Sequence, residues 1–101
     1  SAASDVYKRQ IHMNIGKPLD KSRGSEPVIQ FMEGNIIAVN QIMSSVDNYK
    51  QSEMSESNRG KEVVVHLSVD ESVKYGLIED VQTELRKSGI YKIMNMVKKN
   101  N

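Results

Sequence analysis

One stretch constrains the fold more than any other: Val63-Val64-Val65-His66-Leu67-Ser68-Val69-Asp70, then Glu71-Ser72-Val73-Lys74-Tyr75-Gly76, then Leu77 through to Gly89. Val63, Val65, Leu67 and Val69 alternate with Glu62, Val64, His66 and Ser68, the period of two of a strand with one buried face. Leu77, Ile78, Val81 and Leu85 then recur at the spacing of one helical stripe. Gly89 is placed to end that helix in a left-handed cap, with Arg86 and Lys87 in the last turn, where cations meet the negative end of the helix dipole. Lys92-Ile93-Met94-Asn95-Met96-Val97 then reads as the closing strand. A right-handed crossover makes the two strands parallel neighbours in one sheet.

The earlier part of the chain supplies a hairpin and a helix. Val28 to Met32 and Ile36 to Val39 read as strands joined by a tight turn at Glu33-Gly34-Asn35, where Gly and Asn tolerate positive φ. Ser44-Ser45-Val46-Asp47 has capping-box spacing with Asp in the acidic position. The helix it opens would bury Val46, Tyr49 and Met54 and fray from Ser52 towards Gly60. The expected architecture is α+β, in ββαβαβ order: a two-layer sandwich with a mixed sheet and both helices on one face. The other face is left without cover, and Val64 and His66 fall on it.

The division along the chain follows from Pro and Gly. Residues 1–26 read as a flexible leader and linker, and residues 27–98 as the folded domain; both prolines lie between Gly16 and Pro27. Within the leader, Ile11-His12-Met13-Asn14-Ile15 alternates apolar and polar, a candidate docking strand at 11–15 that could add to a sheet edge.

A length of 101 residues fits one domain, and 38% hydrophobic content sustains a modest core. Six Met against one Phe and no Trp make that core thin in aromatic area. A small domain with such a core and a bare sheet face is expected to form a homodimer. The net charge of +1 argues against nucleic acid as a partner. With no cysteine there are no disulfides and no thiolate chemistry. No apolar run approaches the ~20 residues of a membrane span, and no signal-peptide core is visible.

Catalytic machinery is not expected. His66 and His12 are the two histidines, yet no nucleophile elbow accompanies them. His66 reads as a surface or partner-facing side chain. Asp70-Glu71 and Glu79-Asp80 are acidic neighbours that diverge on their elements rather than converging on a pocket. Asp70 reads as the end of its strand and Ser72 as the cap of the following helix. Tyr75 reads as packing at the helix start, with partner contact as the alternative. Lys98 and Lys99 form a solvated tail. No catalytic, cofactor-binding or metal-ligating residue is assigned, and no cofactor. The candidate partner-binding residues are Ile11, Met13, Ile15, Val64, His66 and Tyr75.

Several of these positions carry a family resemblance. Val73 and Tyr75-Gly76 sit where the periplasmic domain of the ExbD/TolR biopolymer-transport family has Val-x-Tyr-Gly. Leu85-Arg86 and Gly89 sit at its Leu-Arg and Gly positions. Asn40 and Ser45-Val46-Asp47-Asn48-Tyr49 resemble its Leu-Asn-Gly turn and following Ser-Leu-Glu-Glu-Leu, with Val39 and Gln41 replacing the Leu and Gly. Ile11 to Lys17 is similar to the short apolar segment after that family's membrane helix, with Gly16 in place of Pro. The resemblance covers most of the chain, from Pro27 to Val97. It implies a non-enzymatic periplasmic domain of a single-pass inner-membrane protein of a Gram-negative bacterium, beginning after a membrane helix with a proton-linked aspartate. It also implies an ExbB/TolQ-like motor subunit as membrane partner and a TonB- or TolA-like protein as the target energised by the proton motive force. A small α+β regulatory or ligand-binding module is the alternative from another class.

Overall fold

The computed structural model describes residues 10–20, 22, 24–52 and 62–99. Five strands form one mixed sheet: β1 (Gln10–Gly16), β2 (Val28–Phe31), β3 (Asn35–Ile37), β4 (Val64–Asp70) and β5 (Lys92–Lys98). Helix α1 (Ile42–Ser52) follows a 3-10 turn at Val39–Gln41, and α2 (Tyr75–Lys87) joins β4 to β5. The spatial order is β3-β2-β1-β4-β5, with β1, β4 and β5 mutually parallel and the β1–β2 and β2–β3 pairs antiparallel. The fold class is the expected α+β two-layer sandwich. The element order differs: a fifth strand precedes the hairpin.

That fifth strand is the segment read as a docking strand in a flexible leader. Ile11, Met13 and Ile15 are 0%, 1% and 2% exposed, in the middle of the sheet between β2 and β4. The folded unit therefore includes residue 10, and Ile11, Met13 and Ile15 face the core, where no partner can reach them. Short length and the following Pro-Gly stretch hid its place in the sheet. What stabilises it is paired neighbours on both sides, a non-local property.

Both parallel crossovers travel across the sheet in the same direction, β1 to β4 and β4 to β5. Connections of one hand then lay both helices on the same face. The core sits between them and the odd-numbered residues of the central strands: Ile11, Met13, Ile15, Val65, Leu67 and Val69 from the sheet; Ile42, Val46 and Tyr49 from α1; Val81 and Leu85 from α2. Leu77 and Ile78 pack against this cluster part-buried. The Tyr49 hydroxyl donates to the Gln10 carbonyl at 3.1 Å, fastening α1 to the start of β1.

Turn and cap chemistry departs from the sequence reading at four places. The hairpin turn is Met32-Glu33-Gly34, one residue earlier than expected, with Met32 at φ 57° and Gly34 at φ 87°. β3 ends at Ile37 because the Gln41 side chain accepts the Ala38 N–H at 2.7 Å and turns the chain into the helix. Ser44 is thus inside α1, its hydroxyl donating to the Gln41 carbonyl at 3.0 Å, rather than capping it. Ser72 does not cap α2 either. The N-cap position is Lys74, without a side-chain bond, while the Ser72 hydroxyl donates to Asp70 Oδ2 at 2.8 Å. Met54 and the expected frayed stretch beyond Ser52 lie outside the described residues.

The C-terminus of α2 is as the sequence predicts. Gly89 has φ 84°, its N–H donates to Arg86 O at 2.9 Å, and Ile90 N–H donates to Leu85 O at 2.9 Å. This is the paired-bond Schellman cap, with Ile90 and Leu85 both buried beside it. Lys50 Nζ donates to the Ser88 carbonyl at 3.1 Å, tying α1 to the same cap.

Two outcomes check this packing. Met13→Asp and Val81→Asp each bury an unpaired charge, a cost of several kcal/mol against a marginal total, and should abolish the cooperative thermal melt. Thr83→Asp, on an exposed position of α2, should leave it intact; survival of the Met13→Asp melt would mean that β1 is dispensable. Gly89→Ala meets only ordinary van der Waals contact, with Lys50 Nζ at 3.7 Å, so its cost is backbone strain. Urea unfolding should show a loss of about 1–2 kcal/mol.

Candidate functional site

The even-numbered residues of the sheet build the second face, which neither helix covers. Strand register aligns them in rows. His12, His66 and Met94 form one, and Asn14, Ser68 and Met96 the next. A third joins Gly16 to Val28 on one side, with Asp70 and Lys98 at the far end. Sheets with parallel central strands are usually covered on both faces and read as continuous apolar runs. Here β1 and β4 alternate, placing His12, Asn14, His66 and Ser68 towards solvent, so the sequence itself encodes a half-open sheet.

The His12 and His66 rings stack at 5.0 Å between centroids and 15° between planes. His66 Nε2 is shielded from solvent and has no hydrogen-bond partner among the described residues, and Asp70 Oδ1 is in the same condition. Asp70 Oδ2 holds Ser72, and Lys98 Nζ donates to Asn14 Oδ1 at 3.3 Å across the face. Met32 braces the row from the other side: its N–H donates to the His12 carbonyl at 2.8 Å, and its sulfur accepts the His12 N–H at 3.4 Å. That pair of contacts across β1 holds a non-glycine residue at positive φ, a conformation that persists only where its surroundings fix it.

β5 is the long free edge of the sheet. Ile93 is part-buried on the core side and Asn95 accepts a bond from Gln82 of α2, so Met94 and Met96 lie on the open face. They are 52% and 58% exposed, and Val97 is 65% exposed on the other side. Lys92 and Lys98 charge the ends of the strand, but the five residues between them carry no charge. The opposite edge, β3, is three residues long. Natural sheets blunt their edges with shortness or charge, and β5 is blunted only at its ends.

Of the candidate partner-binding residues, Val64 and His66 lie half-buried on the open face. Tyr75 is 70% exposed at the start of α2, so it does not pack there and is free for contact. Ile11, Met13 and Ile15 are in the core. Sequence reasoning missed Met94 and Met96, whose alternation was visible but whose edge position was not, and missed the meeting of His12 with His66. A groove of about 1010 Å³ also runs beside the β2–β3 hairpin, lined by Phe31, Ile37, Ser45, Asn48 and Tyr49 among others. Among the described residues no three His, Asp or Glu side chains come together as a metal site. None of the described helices is long and apolar enough to cross a membrane.

No protein-family model matches the chain, and no curated protein matches it.

If Met94 and Met96 are held at the surface for reasons other than stability, Met94→Ser and Met96→Ser should each change the unfolding free energy by no more than about 0.5 kcal/mol. Denaturant titration at low protein concentration measures this. A larger loss would place these side chains in the core.

Proposed function

We propose that this chain is the partner-docking domain of an ExbD/TolR-like protein, acting by self-association and by adding an extended partner segment to its sheet. In that role it carries no catalysis. It would be joined through a membrane helix outside this sequence to an ExbB/TolQ-like motor in the inner membrane. It would hold or release a TonB- or TolA-like segment in the periplasm as proton motive force is spent. The observation that carries the reading is the edge of β5, which no described strand pairs, uncharged between Lys92 and Lys98 and flanked by a sheet face that neither described helix covers. The positions that resemble the family support it. Leu85 and Gly89 carry the core contact and the cap of α2, and Tyr75-Gly76 opens that helix.

With β1 committed to the middle of the sheet, the docking segment has to come from elsewhere, and β5 is where it fits. Strand addition takes affinity from main-chain hydrogen bonds and specificity from alternate side-chain pockets. The Met94 and Met96 thioethers supply adaptable apolar contact on one side of such a strand. The groove beside the β2–β3 hairpin favours a second reading, a small regulatory module that binds a ligand there.

Amide hydrogen exchange separates the two. Addition of an extended TonB-like peptide should slow exchange in Lys92–Lys98 and leave the hairpin unchanged. Protection confined to the hairpin and α1 would overturn edge docking in favour of the groove. Sedimentation over rising concentration should show a dimer that the Met94→Lys/Met96→Lys variant loses. A single monomeric species throughout would count against self-association.

A further inference from the structure

The open face also brings together donors of one chemical character. His12 and His66, 54 positions apart in the chain, lie side by side on β1 and β4, and Met94 of β5 continues the row, with Met96 one step along. We propose that His12, His66, Met94 and Met96 form a binding site for a soft monovalent cation of the copper(I) class.

The donor set decides the class. Imidazole nitrogen and thioether sulfur are borderline and soft ligands, and thioethers select copper(I) over the hard cations that prefer carboxylate and water. No carboxylate shares these two rows. Asp70 lies one row beyond, with one oxygen engaged by Ser72. A neutral donor set suits a cation of single charge.

Geometry brings the donors within reach. Adjacent strands run about 5 Å apart, and directly opposed side chains in a sheet meet across that distance. The two rings stand 5.0 Å apart and nearly parallel, so a turn about the side-chain torsions aims both nitrogens at one shared cation, and both rings sit on interior strands with neighbours on both sides. A rigid platform of this kind holds ligands better than a loop does. His66 Nε2 is shielded and has no hydrogen-bond partner among the described residues, a nitrogen whose capacity is unused there. Buried polar atoms in that condition are rare and costly, and a metal bond would satisfy this one. Met94 and Met96 leave about half their surface in water, and their unbranched side chains are flexible enough to swing over the ring row.

The test is a titration of the whole chain with silver(I), a redox-inert soft cation, in chloride-free buffer. Methionine methyl and histidine ring signals are followed by NMR. One equivalent should shift both histidine rings and the methyls of Met94 and Met96, leaving buried Met13 and the α1 residue Met43 unmoved. The Met94→Leu/Met96→Leu variant keeps the apolar contact and should still melt cooperatively. It should lose more than about tenfold in affinity, a loss that even outer-shell changes at metal sites produce. His66→Gln should do the same, and Met43→Leu should change nothing. Undiminished silver binding in the double leucine variant would reduce the site to a plain histidine pair and overturn the proposal. So would the absence of saturation, or zinc(II) binding as tightly as silver(I). Because leucine preserves apolar contact, a dimer that survives in this variant separates failure of the metal site from failure of self-association.

Discussion

The parallel pairing of β1 with β4 is the constraint on which the rest of the structure depends. Six residue pairs register between them, from Gln10 with Val64 to Ile15 with Val69. This pairing joins a hairpin on one side to a β4–α2–β5 unit on the other. Without it the sheet falls into a three-stranded β1-β2-β3 piece and a two-stranded β4–β5 piece, each too small to bury the apolar surface that the joined sheet provides. It also sets Ile11, Met13 and Ile15 beside Val65, Leu67 and Val69, a continuous apolar surface on which both helices rest. Tyr49 bonding to Gln10 and Lys50 bonding to the α2 cap then fix α1 against two distant segments at once.

Because both crossovers run the same way across the sheet, both described helices cover one side. The chain accommodates the bare side by alternating polar residues into its central strands, so His12, Asn14, His66 and Ser68 stand where a doubly covered sheet would carry Val or Ile. Exposed apolar character on that face is displaced to the two edge strands, Ile36 on short β3 and Met94 and Met96 on β5. Docking and metal binding are thus proposed for the same region of the molecule, an edge strand charged only at its ends, whose two methionines look out beside a histidine pair. Binding at one would alter access to the other, since Met94 and Met96 belong to both.

How much of this was legible varied with how local the determining interactions are. β4 and the end of α2 were readable nearly to the residue, because alternation, helical spacing and the Gly89 cap are written within short windows, whereas Ser72 reads as the cap, a position that Lys74 occupies. The hairpin was visible but shifted by one position, since Met32 takes a positive φ that its residue type does not favour and that contacts across β1 impose. The first helix was recognised from Val46 and Tyr49. Its start was misplaced because Gln41, rather than a serine, turns the chain. β1 was seen as a strand and assigned the wrong place. Of the candidate site, Val64 and His66 lie on the face expected of them, whereas Ile11, Met13 and Ile15 read as a docking strand in a flexible leader and are instead in the core.

The sequence by itself determined the α+β class, the β4–α2–β5 unit and an open second face, because period and capping are properties of neighbouring residues. Only the tertiary structure decided that residues 10–16 form the middle strand and that β5 is an edge. It alone brought His12 against His66 and Met94. Strand order is set by pairings between segments far apart in the chain. Period shows which side of a strand is apolar, but it carries no information about which strand lies next to it.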